Sequence, residues 1–432
     1  MRQLNNGENS LSKGGGICMD DIILENTVVN GNRVVFQFEA RGILRQYFTT
    51  NELFVEYDCS IEMIPISILN IVFVSSILPL MWLTDTTMWV YDIDRTFYDC
   101  ILRLKMAYQD LYPHYSLKGR FVAANTIYNT YEEKREGLLL FSGGIDAHVS
   151  YLRHREIKPI LCNIQGWYRE ELDEKAKAAE ADKRDILNFA LKENVDFRFV
   201  KSNFAVLVDN KQFSTNIQKK LGDSWWHGFQ HSMSFISIAI PLAYLYGVKN
   251  IYIASSFAIG GEGKCASYAT TDIEFKFASI GGCIHDAFDM SRQDKVRYLV
   301  EYQKRSNEDY PVRVCSFKDK NCCECEKCFR TILEIVAENG DIHNFGFSIE
   351  SSLKEHWKKV FEHNLWKFGV EGERRKHWPD SIQRMRENYE KIEDKEFVDW
   401  FLEYDFIGNK KKALKHYYKT NFFKIIKRKL GL

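Results

Sequence analysis

Hydrophobic positions along the chain follow two rhythms. Between Ile22 and Tyr57 they cluster in short, β-branched runs: Thr27-Val-Val, Arg33-Val-Val-Phe-Gln-Phe and Glu52-Leu-Phe-Val-Glu-Tyr. Such runs predict strands, with Asn30-Gly31-Asn32 as the hairpin turn between the first two. From Gly137 the rhythm changes to short apolar runs separated by long amphipathic stretches. The runs at Leu138–Phe141, Lys158–Gln165, Phe197–Val200 and Lys249–Ser256 predict strands, and Glu170–Glu193 and Trp225–Tyr246 predict helices. Strands and helices in alternation imply βαβ units and a parallel sheet. Beyond residue 340, Trp, Phe, Lys and Glu recur at helical spacing and predict an extension whose aromatics pack as its core. The expected fold class is therefore α/β, a parallel sheet with helices on both faces. A β-rich α+β domain at 19–130 precedes the main domain at 137–335, and a helical extension at 340–432 follows it.

Three stretches depart from this pattern. Residues 1–18 are polar, carry Gly14-Gly15-Gly16 and are expected to be disordered. Met63 to Leu83 bears no formal charge over about the length that spans a bilayer. Pro65, Pro79, Asn70 and Ser75-Ser76 interrupt it and no basic residues flank it, so buried strands and a core helix are the expected reading. Gly260 to Ile284 is glycine-rich and irregular, and reads as a loop, either a substrate lid or a solvated connection.

Composition narrows the picture. Apolar residues make up 45% and charged residues 27% of 432, with zero formal net charge, which argues against a chain that binds nucleic acid over its whole surface. Of eleven cysteines, five lie between Cys315 and Cys328 and six are scattered. The opening residues are polar rather than signal-like, so the expected setting is a reducing cytoplasm, with a metal site rather than disulfides. The last basic run, Lys410-Lys-Lys412 through Lys427-Arg-Lys429, reads as a solvated helix, with an anionic membrane, RNA or acidic protein as the other reading.

Chemistry enters at Phe141-Ser142-Gly143-Gly144-Ile145-Asp146. An apolar strand, a glycine turn and a helix start make an anion site, because free backbone N–H groups and the helix dipole favour phosphate. The spacing is neither the G-x-x-x-x-G-K-[ST] loop nor the G-x-G-x-x-G fingerprint. It resembles the pyrophosphate-loop (adenine nucleotide alpha-hydrolase-like) ATPases. The resemblance implies a HUP-type sheet and cleavage of ATP between its alpha and beta phosphates to adenylate a substrate. It implies ATP and Mg²⁺ at Ser142, Gly143, Gly144, Ile145 and Asp146, with Gln165 and Ser255 arriving at the same carboxyl edge of the sheet. Ala147 stands where the family has Ser or Thr. Arg292 and Lys295, three apart at a helix start, are candidates to neutralise phosphate charge alongside a catalytic Asp146.

Cys315-x6-Cys322-x2-Cys325-x2-Cys328 is the second specific signal. Four thiolates in this spacing suit tetrahedral Zn²⁺, with an iron–sulfur cluster or a redox dithiol as alternatives. Cys323 leaves open which of two adjacent thiols ligates. A pyrophosphate loop followed by such a cluster resembles the 7-cyano-7-deazaguanine synthase family over residues 137–335. Gln165-Gly166-Trp167 replaces that family's Tyr-Gly-Gln, and Tyr268-Ala-Thr-Thr-Asp272 lies where Pro-Asp-Cys-Arg is expected.

The resemblance implies an ATP-dependent ligase that adenylates a carboxylate or deazapurine-like substrate for attack by a nitrogen nucleophile. Relatives occur in antiviral systems and surface-polysaccharide gene neighbourhoods, and the N-terminal domain suggests a protein partner that is itself modified. A sulfur transferase acting on tRNA, using Cys265 or Cys283, is a second reading; a non-catalytic nucleotide-binding partner protein is a third.

Overall fold

The computed structural model describes residues 21–166, 174–261, 263–315, 318–369 and 378–421. The disorder expected at 1–18 and the basic run beyond 421 lie outside them. The chain divides into two compact units, residues 1–142 with 146–289, and residues 143–145 with 290–432.

The first unit is built on one sheet. Its strands are β1 (Asp21–Asn30), β2 (Arg33–Ala40), β3 (Glu52–Tyr57), β4 (Thr87–Asp94), β5 (Arg120–Ile127) and β6 (Arg135–Leu140). They continue with β7 (Ile160–Gln165), β8 (Phe197–Ser202), β9 (Val248–Ala254), β10 (Lys276–Phe277) and β11 (Gly281–Asp286). The order across the sheet is β10-β11-β9-β6-β7-β8-β3-β2-β1-β4-β5. Five strands, β11, β9, β6, β7 and β8, run parallel. In chain order their arrangement is 3-2-1-4-5, the doubly wound pattern, with its reversal between β6 and β9. The N-terminal strands join the same sheet where β3 pairs antiparallel with β8, Val55 opposite Ser202. The strands expected of two domains, 19–130 and 137–335, thus share one sheet, and the boundary between units falls after Asp289.

The expected hairpin is present: Asn30 pairs with Arg33 across a turn in which Gly31 has φ +60°, a conformation glycine adopts without strain. The uncharged stretch is not a mixture of strands and helix but a single helix, α1 (Ile66–Thr84). Pro65 precedes it, and Pro79 is accommodated within. Among the described residues α1 alone is long and apolar enough to cross a membrane, and it is almost wholly buried in the unit's core. Asn70 is matched there: it accepts from Thr27 Oγ1 at 2.7 Å and donates to the Asp92 carbonyl at 2.8 Å. Helix α2 (Arg95–Leu111) is capped by Asp94, whose carboxylate accepts from Phe97 N. Helices α3 (Ile145–Arg153) and α4 (Glu174–Glu193) cross from β6 to β7 and from β7 to β8, and α5 (His231–Tyr246) precedes β9.

The stretch expected to be a loop, Gly260 to Ile284, contains β10 and the first four residues of β11, the outermost strand of the parallel block. Consecutive residues of a strand face opposite sides of a sheet. Asp286 accepts from Ser150 of α3, whereas its neighbour His285 bonds Asp272, which Ser232 of α5 also bonds. Helices therefore cover both faces.

The second unit is helical: α6 (Arg292–Ser306), α7 (Glu326–Ala337), α8 (Leu353–Asn364), α9 (Trp378–Glu387), α10 (Lys395–Glu403) and α11 (Phe406–Thr420). The expected aromatic core is there. Phe329 of α7 is ringed by Trp357, Phe361, Phe368, Trp378, Phe401 and Phe406, with centroids 4.7–6.3 Å away.

Candidate functional site

The loop at the carboxyl end of β6 opens with an exposed Ser142 and turns at Gly143, where φ is +74°. Ile145 starts α3, and Asp146 lies in its first turn. The turn requires a residue that tolerates left-handed backbone, and glycine gives the backbone amides close access to an anion. The Gly143 carbonyl accepts from Arg313 N at 2.8 Å. The base of the loop is fixed to the next strand: Phe141 N donates to Cys162 O at 2.8 Å, and Asn163 Nδ2 donates to Phe141 O at 3.0 Å. Gln165 in turn donates to Asn163 Oδ1 at 2.9 Å. Asn163, buried on β7, is not signalled by the sequence, because a lone Asn inside an apolar run carries no periodic pattern. Ala147 is buried, as is His148, whose ring packs edge-on between Phe141 and Phe189.

Ser255 follows β9 and is buried. Its hydroxyl donates to Phe257 O at 2.6 Å and accepts from Phe257 N at 3.2 Å, so it closes its own turn. Ser255 N donates to the carbonyl of Asp286 on β11 at 2.8 Å, and so the ends of β9 and β11 are tied.

Arg292 and Lys295 lie in α6 of the second unit, where Ser291 caps the helix in a reciprocal pair with Asp294. Lys295 is buried. The Arg292 guanidinium, 11% exposed, meets the buried Glu334 carboxylate of α7 at 3.1 Å and Thr331 at 3.4 Å. Glu334 therefore offsets the Arg292 charge within this unit.

The four cysteines expected to bind metal converge. The sulfurs of Cys315, Cys322, Cys325 and Cys328 all lie within 4.8 Å of one another. Those of Cys322 and Cys328 are 3.9 Å apart, close to the edge of a tetrahedron with metal–sulfur bonds of about 2.3 Å, roughly 3.8 Å. Asn321 builds the scaffold: its side chain accepts from Val314 N and Cys315 N and donates to Val312 O and Gly346 O. Glu324 N points at Cys322 Sγ at 3.5 Å, the kind of amide contact that steadies a thiolate. Hydrogen bonds with Cys322 and Cys328 push the Cys325 thiol down to about 4, and those with Cys322 and Cys325 push Cys328 up. The donor set, spacing and closed shape fit a structural metal ion such as zinc. Among the described residues no disulfide forms, and the cysteines are free thiols.

Cys265 and Cys283 are both buried, at 3% and 2% exposure. Burial pushes the Cys265 thiol up to about 12 and that of Cys283 well above its ordinary value. The Cys265 S–H donates to Ser267 O at 3.1 Å and lies 3.7 Å from His231 Nε2.

No protein-family model, curated protein or solved structure matches the chain.

Proposed function

We propose that the chain is an ATP-dependent ligase of the pyrophosphate-loop type, which forms AMP and pyrophosphate. The observation that carries this reading is the glycine turn Ser142-Gly143-Gly144 after β6, the first strand of a 3-2-1-4-5 parallel sheet. In sheets of that order ligands lie beyond the carboxyl ends, where the order reverses, here between β6 and β9. A HUP-type nucleotide fold belongs to the same proposal. Backbone amides of the turn would hold pyrophosphate, and Asp146 would hold Mg²⁺, which supplies charge neutralisation when bound. A carboxylate of the substrate would then attack the alpha phosphorus, and a nitrogen nucleophile would displace AMP. A deazapurine acid is the first substrate class to offer, and a partner protein, as in antiviral systems, the second. The reading rests on the loop rather than on Arg292, whose charge Glu334 offsets.

The buried, protonated thiols of Cys265 and Cys283 favour a ligase over a sulfur transferase, which needs a reachable thiolate. Zinc at the four cysteines would be structural, joining the loop of Cys315 to the start of α7 and so to the Phe329 core.

Asp146→Asn is the test of the loop. Binding of Mg²⁺–ATP, followed by calorimetry, should weaken at least tenfold in the variant, while binding of ATP in excess chelator should change little. Equal binding of both forms by wild type and variant would remove Asp146 from the proposal.

A further inference from the structure

The first unit holds a carboxylate–imidazole pair that the phosphate loop does not use. His285 stands one residue before the end of β11, and Asp272 closes the short turn Ala269–Asp272. His285 Nδ1 lies 2.8 Å from Asp272 Oδ2, and the two side chains are 1% and 0% exposed. The same carboxylate accepts from Ser267 Oγ at 2.7 Å and from Ser232 Oγ of α5. With hydroxyl donors on both oxygens, Asp272 acts as an acceptor toward the ring. In the neutral ring the proton therefore sits on Nδ1, which leaves the lone pair on Nε2. Nε2 is buried, and no described residue bonds it. A core histidine at rest uses both nitrogens; here one is fixed by a fully engaged carboxylate and the other has nothing to meet.

Position adds a second argument. β11 is two places from β6 in the parallel block, so at about 4.8 Å per strand their ends are roughly 10 Å apart, within the span of a small substrate. Phe288 lies two residues beyond β11. Its ring stands edge-on to His285 at 5.5 Å and to Tyr268 at 5.1 Å. Its carbonyl takes the amide of Ile259 at 2.7 Å, beside Gly260-Gly261.

We propose that Asp272 and His285 form the general base for the second half of the reaction. As the nitrogen nucleophile bonds to the adenylated carbon, Nε2 takes its proton. The bond from that carbon to the bridging oxygen breaks, and AMP leaves with the electron pair. The imidazolium that results is held against the Asp272 carboxylate. The identity of the proton donor rests on the ligase reading; the state of the ring does not.

The test uses the full chain labelled with ¹⁵N-histidine and observes the ring nitrogens by NMR, with His285→Gln to assign the signal. The neutral ring should carry its proton on Nδ1, and the Nε2 resonance should move when methylamine is added as a probe nucleophile. A proton on Nε2, or no response to methylamine, would overturn the proposal. In wild type that exchanges pyrophosphate into ATP with a supplied carboxylate, His285→Gln should keep the exchange and cut C–N bond formation about 100-fold or more. Unchanged C–N formation, or equal loss of both steps, would also overturn it. Wild type that shows no exchange would count against the ligase reading, while the ring-nitrogen measurement still decides the role of the dyad.

Discussion

Cys322 and Cys323 are adjacent thiols with different surroundings, and the backbone separates them. Cys323 has φ +52°, its thiol lies 3.7 Å from the Asn321 carbonyl, and its own carbonyl accepts from His356 at 2.7 Å. Cys322 is left to face Cys328. Purified chain should therefore hold about one zinc, which Cys325→Ser loses and Cys323→Ser keeps, as read by elemental analysis. An iron absorption band, or a Cys325→Ser protein with full metal, would contradict this. A second residue test concerns Asp286. Burial acts to raise its pKa, but hydrogen bonds from His154 and Ser150 and the charge of Arg153 hold the carboxyl below its ordinary value. A carboxylate with a depressed folded pKa stabilises above its unfolded pKa near 4, and that stability is lost as pH falls through the folded value. Asp286→Asn should thus lower stability at pH 7 by about 1–3 kcal/mol. Its thermal midpoint should approach that of wild type below pH 3. A constant difference from pH 7 to pH 2.5 would refute the electrostatic part of this account.

Secondary elements were unequally legible. Strands β1, β2, β3, β6, β7, β8 and β9 announce themselves as short apolar runs set between polar or turn residues. β11 does not, since Gly281-Gly282 at its start reads as a loop signal. Gly281 is there for packing: a Cβ on it would meet the Phe277 ring at 2.3 Å. α1 was ambiguous for a different reason. Every face is apolar, so no period distinguishes strand from helix, and only the tertiary setting supplies partners for Asn70. The cysteine spacing was readable because ligand geometry is local. The His285–Asp272 pair was not, because thirteen residues and a missed strand separate its members. Gly166 lies at the end of β7, where a Cβ would sit 2.0 Å from the Phe204 ring. Gly166→Ala should cost about 1–3 kcal/mol by urea unfolding, the usual range for overpacking. A change below a few tenths would mean that Phe204 moves aside freely.

At the scale of the whole molecule, the first unit supplies a parallel sheet, and the second supplies the glycines that follow its first strand and a cysteine cluster close in sequence to an aromatic helical core. Zero net charge leaves function to local sites. The α/β class, the glycine turn and the cysteine cluster are legible in residue patterns, whereas Asp272 and His285 come from separate segments that spacing cannot bring together. The proposed ligase reaction turns on which phosphate bond of ATP is cleaved. The most direct measurement incubates the full chain with Mg²⁺, doubly labelled ATP and a panel of carboxylates that includes 7-carboxy-7-deazaguanine. Products are separated chromatographically, with ammonium as the nucleophile. AMP and pyrophosphate in equal amounts, dependent on the carboxylate and abolished in Asp146→Asn, are the expected result; ADP and phosphate, with the same dependence, would contradict it.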